Sequence, residues 1–117
     1  MDDDVTELLE RAHSALHQAQ QCLFVERAAK LITIPELYPV IGNLVELAHA
    51  LCEFLETLPD LTTFNPGEHY DSEGLDPRES MASAESGLRN ARVLADALDP
   101  TLNKAWSRIG RLGLKDD

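Results

Sequence analysis

Apolar residues recur at alternating steps of three and four in three separate stretches of this 117-residue chain. That period is the period of an α-helix with one apolar stripe, so the pattern commits the chain to helices rather than strands. The first stretch reads Val5, Leu9, Ala12, Leu16, Ala19, Leu23. Asp4 and Glu7 stand before it at capping-box spacing, where each side chain serves the other's backbone amide. The second reads Leu37, Ile41, Leu44, Ala48, Leu51, Leu55, Leu58 and stops at Pro59. The third begins at Asp76-Pro77-Arg78-Glu79, a cap followed by proline at the first helical position. It continues through Met81, Ala84, Leu88, Ala91, Ala95, Leu98, Leu102, Ala105, Ile109 and Leu112. Asp99-Pro100 falls inside this last seam without breaking its register, which predicts a kinked helix or two nearly collinear ones.

The expected architecture is all-α. It is an antiparallel three- to four-helix bundle with heptad-like seams, with helices at about 4–30, 37–58, 77–99 and 100–112. One domain covers 1–117, with a linker at about 59–76 that is rich in turn formers. Phe64 and Tyr70 are the residues expected to pin that linker. The corner between the first two helices carries Pro35, Tyr38, Pro39 and Gly42. Two prolines do not fit one first turn, so either residues 35–38 form a separate turn or the helix starts at Pro39. Gly42 marks a close approach to a neighbouring helix. Three helices bury little and the third seam outlasts the others, so a homodimer is expected to use the excess.

Charge narrows the partners. Ten basic against 21 acidic residues leave a net charge of -11, which disfavours direct binding to nucleic acid or to anionic membranes. Residues 1–60 carry 3 basic and 11 acidic groups, whereas residues 78–117 carry 7 and 6. The opening "MDDDVTELLERAH" is acidic where a secretory leader is basic, and no apolar run approaches membrane-spanning length. Cys22 and Cys52 are then expected to be reduced thiols in a cytoplasmic protein.

Three sites carry chemistry of interest. Glu10, His13 and His17 share a stripe on the first helix, and Glu46, His49 and Glu53 share one on the second. With the corner near residue 35, antiparallel pairing sets His17 level with Glu53. Glu10, His13, His17, His49 and Glu53 therefore form an alternative zinc or iron site, although they flank the seams and suit a solvated face as well. A basic stripe runs Lys104, Arg108, Arg111, Lys115, either gripping an acidic partner or balancing the acidic half. Tyr38, Trp106, Arg108 and Arg111 are the candidate partner contacts. The acidic start, Asp2, Asp3, Asp4, Glu7 and Glu10, allows a second alternative, an acidic mimic occupying a basic nucleic-acid-binding protein. No phosphate loop, dinucleotide fingerprint or nucleophile elbow occurs, so neither catalysis nor a cofactor is expected. The leading expectation is a non-enzymatic interaction or regulatory module that acts on a protein partner.

The stretch "IPELYPVIGNL" resembles a Pro-x-Leu-Tyr-x-Val-Ile/Leu-Gly-x-Leu phrase found in small helical-bundle proteins of actinobacteria. Pro35, Leu37, Tyr38, Val40, Ile41, Gly42 and Leu44 carry the likeness. The resemblance implies a bacterial helical protein and transfers no catalytic residue. The chain departs from the secreted helical hairpins with a Trp-x-Gly turn, because Trp106 is followed by Ser107-Arg108.

Overall fold

The computed structural model describes residues 4–115. Among them there are three α-helices and no strand: α1 (Val5–Ala28), α2 (Ile34–Thr57) and α3 (Pro77–Ile109). Two single-turn 3-10 helices, Leu61–Thr63 and Pro66–Glu68, punctuate the connection between α2 and α3. Asp4 caps α1 by accepting from the Thr6 amide, and Asp76 caps α3 by accepting from the Arg78 amide.

Helices α2 and α3 pack against each other. Gly42 meets Trp106, His49 meets Asp99, and the Leu55 carbonyl meets Arg92. Numbers rise along one helix as they fall along the other, so the pair is an antiparallel hairpin. Its interior is small. The buried residues among those described are Val45, Ala48, Ala95 and Glu85, of which only Glu85 is fully buried.

Helix α1 does not join the bundle expected of it. No described Cα of α1 lies within 8 Å of α2, α3 or the 3-10 turns, so the expected pairing of the first two helices is absent within the chain. The radius of gyration is 20.0 Å, against about 13 Å for a compact domain of this length. The long dimension, 72 Å, matches two 24-residue helices laid end to end at about 36 Å each. The corner is a closed hydrogen-bonded device. Leu31 N–H donates to the Glu26 carbonyl (2.9 Å) and Lys30 N–H to the Arg27 carbonyl (3.1 Å), while Lys30 takes the left-handed conformation at φ 56°. This is a Schellman closure with lysine where glycine is usual.

Two helix boundaries and the anchoring of the linker also differ from expectation. Helix α2 starts at Ile34, ahead of both prolines, so neither proposed arrangement of the corner holds. Pro35 falls in the first turn, where a missing amide costs nothing. Pro39 forfeits one bond further in, and its own carbonyl accepts from Asn43 Nδ2 (2.8 Å). Helix α3 runs unbroken through Pro100 to Ile109, so of the two arrangements expected there it is the single long helix, without the division at 99/100, that forms. The linker is not pinned by its aromatics, since Tyr70 is 88% exposed and Phe64 is exposed as well.

Candidate functional site

What holds the linker is Glu85, a carboxylate only 1% exposed. It accepts from Leu61 N–H (2.9 Å) and Arg92 Nη1 (3.3 Å), and Arg89 Nε lies 3.5 Å away. Arg89 also reaches Asp60 (3.4 Å). Arg92 Nε donates to the Leu55 carbonyl (3.0 Å), supplying both a donor and positive charge to the C-terminal turn of α2. Ser80 Oγ donates to Asp71 and ties the far end of the linker to α3. Asp60 and Asp71 are held below the usual carboxylate range, chiefly by the hydroxyl bonds of Thr62 and Ser80 respectively. The composition of the linker hid this hub; the signal lay in α3.

Glu85, Arg92, Asp99 and Trp106 recur every seven residues on α3, and all four make contacts toward α2 or the linker. The stripe that faces α2 is therefore partly polar. The all-apolar reading of α3 straddled two faces, and Ala84, Ala91, Leu98 and Ala105 lie on the second.

At the open end of the hairpin, Trp106 lies on α2. A Cβ at Gly42 would sit 3.0 to 3.2 Å from its indole ring, so the glycine admits the ring, a close approach of side chain rather than of backbone. Tyr38 stacks on the same indole with centroids 5.1 Å apart and planes at 21°. Its ring edge in turn fills the space beside Gly110. Trp106 Nε1 is buried without a hydrogen-bond partner. Tyr38 and Trp106 thus pin the open end of the hairpin, with Tyr38 still 40% exposed. Arg108 lies in the last turn of α3, but Arg111 and Lys115 lie beyond its end at Ile109, so the basic stripe does not continue on one helical face.

One side of the hairpin is polar. His49 Nε2 meets Glu53 (2.8 Å) and its Nδ1 meets Asp99 (3.2 Å). The bond to Asp99, and then the charge of Glu53, hold the imidazole above its ordinary pKa. Cys52 Sγ lies 3.7 Å from Glu56 and 4.0 Å from Asp96; desolvation and these carboxylates push its thiol up, away from a reactive thiolate. Glu10, His13 and His17 stand on α1, which approaches no other helix, so the structure does not bring them to His49 and Glu53. Among the described residues, no three His, Cys, Asp or Glu side chains are arranged to hold a metal ion.

The other side of the hairpin is apolar and open, with Leu47, Leu51, Leu94 and Leu98 all exposed. Helix α1 buries nothing, and leaves Val5, Leu8, Leu9, Leu16, Phe24 and Val25 exposed. Monomeric proteins seldom leave such runs uncovered. None of the described helices is long and apolar enough to cross a membrane. Asp2 and Asp3 of the acidic start lie outside the described residues, whereas Asp4, Glu7 and Glu10 are exposed at the head of α1. No protein-family model, curated protein or solved structure matches the chain.

Proposed function

We propose that the chain is a non-enzymatic protein-interaction module, a homodimeric helical bundle in its working form, with α1 as its docking element. The observation that carries this reading is α1 itself: 24 residues of amphipathic helix with none buried. An isolated helix of mixed composition is marginal in water, because its stability comes mainly from packing its apolar face. A partner that covers α1 completes the bundle the chain leaves unfinished. The Glu85 hub and the Trp106 lock give the hairpin its own reasons to stay folded while α1 waits. The acidic surface keeps the uncovered protein soluble and favours a partner that is not itself strongly acidic. Two unpaired thiols, Cys22 and Cys52, fit a reducing cytoplasm.

The test is affinity capture from the native host with two baits, the natural chain and Leu9→Glu/Leu16→Glu. The reading expects bound protein, a second copy included, to be lost selectively on the variant. Equal recovery on both baits overturns it.

A further inference from the structure

We infer that the open apolar side of the α2–α3 hairpin is the seat for α1 of a second copy, so that two chains exchange their first helices in a two-fold dimer. The inference rests on the reading of α1 as the docking element and names what it docks on.

The seat follows from helix geometry. On α2 the positions turned to α3 include Val45, Ala48 and Leu55; on α3 they include Arg92 and Ala95. One residue earlier on each helix come Leu44, Leu47, Leu51 and Phe54, and Ala91, Leu94 and Leu98. A step of one residue turns about 100° around a helix, and on two antiparallel helices the same step reaches the same side of the pair. The exposures agree: Leu47 is 51% exposed, Leu51 50%, Leu94 72%.

The seam of α1 fits this seat in register. It steps Val5, Leu9, Ala12, Leu16, Ala19, Leu23. Read backward from its C-cap Leu58, α2 steps Phe54, Leu51, Leu47, Leu44, Val40. The intervals of four and three match throughout, so an antiparallel α1 sets Val5 level with Leu58, Leu16 level with Leu47 and Leu23 level with Val40. Every Lys or Arg of residues 1–60, namely Arg11, Arg27 and Lys30, lies on α1 or its corner. The charged residues of α2, Glu36, Glu46, Glu53 and Glu56, are all acidic; in this register Arg27 comes level with Glu36, whereas Glu7 and Glu10 come level with Glu56 and Glu53.

Two observations assign the seat to another copy's helix. Helix α1 stands off its own hairpin, with none of its described Cα atoms within 8 Å of α2 or α3 in a molecule 72 Å long. Exchange also supplies enough surface. A 24-residue helix about 36 Å long and 10 Å wide covers about 360 Å² of its seat. Counting both surfaces of two exchanged contacts gives about 1,400 Å², inside the range of stable interfaces. A single contact between two α1 helices gives about 700 Å² and falls short of it.

Disulfide trapping tests the exchange. In a Cys22→Ser/Cys52→Ser background, Leu16→Cys and Leu47→Cys place one thiol on α1 and one on the seat. Oxidised protein is read on a denaturing gel, and the reduced parent chain by light scattering. Exchange predicts a covalent species of twice the 13.0 kDa chain and a dimeric mass in solution. A bond formed within one chain overturns the inference, because α1 then covers its own hairpin. Absence of both bond and dimer, with Trp106 fluorescence showing a folded hairpin, also overturns it. That outcome removes the homodimer as well but leaves α1 as a docking element for another protein, since only equal capture on the Leu9→Glu/Leu16→Glu bait removes that role.

Discussion

Helices α1 and α2 are each 24 residues long and share a three-four apolar rhythm, yet α2 buries Val45 and Ala48 while α1 buries nothing. The difference teaches that periodicity makes a helix amphipathic but does not supply its partner. Helix α2 is joined to its partner by specific devices at both ends. Tyr38 and Gly42 receive Trp106 at one end, and Arg92 holds the last-turn carbonyl of Leu55 at the other. Helix α1 has no counterpart to either. Its corner is closed by its own backbone, and its nearest aromatic contact is local, Arg27 over Phe24 at 5.4 Å.

The contrast breaks most sharply at Glu85. Glu85→Ala strips the acceptor from Leu61 N–H and leaves Arg92 without its carboxylate, which is expected to cost the hairpin about 3 kcal/mol. Urea unfolding followed by Trp106 fluorescence reads this loss, and the helical signal of α1 at matched concentration should be the less affected. Gly42→Ala comes next. The helix gains about 1 kcal/mol from alanine, but a methyl 3.0 to 3.2 Å from an indole pinned by Tyr38 costs more. A net loss of about 1 kcal/mol is expected, with a shifted tryptophan emission maximum; a gain in stability shows that the indole yields freely.

Smaller effects sharpen the comparison. Lys30→Gly removes the left-handed strain of the α1 corner at the expense of a more flexible unfolded chain, for a net gain of about 0.5 kcal/mol. It should raise the melting temperature slightly without changing the mass in solution. The smallest effect is that of His49. Its folded pKa is raised, so the stability it lends by bridging Glu53 and Asp99 is fully present below its unfolded pKa and is lost as pH rises through the folded value. Thermal midpoints should therefore decline modestly from about pH 6 to pH 8, and His49→Gln should flatten that slope. Asp60 and Asp71 act in the opposite sense: their contribution is present above their unfolded pKa and is lost as pH falls through the folded values.

Much of the local structure was legible in the sequence. The caps at Asp4 and Asp76 and the three helical stretches follow directly from side-chain chemistry and apolar spacing. Proline misled at the corner, and at Pro100 it left one long helix and two collinear ones equally open. Pro39 loses one bond while its own carbonyl still accepts from Asn43, and Pro100 sits in a helix held across it by Asp99 and Trp106. The hub was hidden because Glu85 and Arg92 are charged, and a search for apolar seams passes over a buried ion pair. The standing-off of α1 was hidden for another reason. Its seam matches α2 in register, so sequence alone pairs the two helices without saying whether they belong to one chain. The width of the α3 stripe was the available clue: Glu85, Arg92 and Trp106 serve α2 and the linker, and Ala84, Ala91 and Leu98 are left for something else.

Amide hydrogen exchange across a dilution series bears most directly on the claim that α1 gains no cover from its own chain. At concentrations where the protein is monomeric, α1 amides from Leu9 to Leu23 should exchange far faster than those around Val45, Ala48 and Ala95, and should become protected as concentration rises. Protection of α1 equal to that of the hairpin centre, unchanged on dilution to a monomer, would contradict the account.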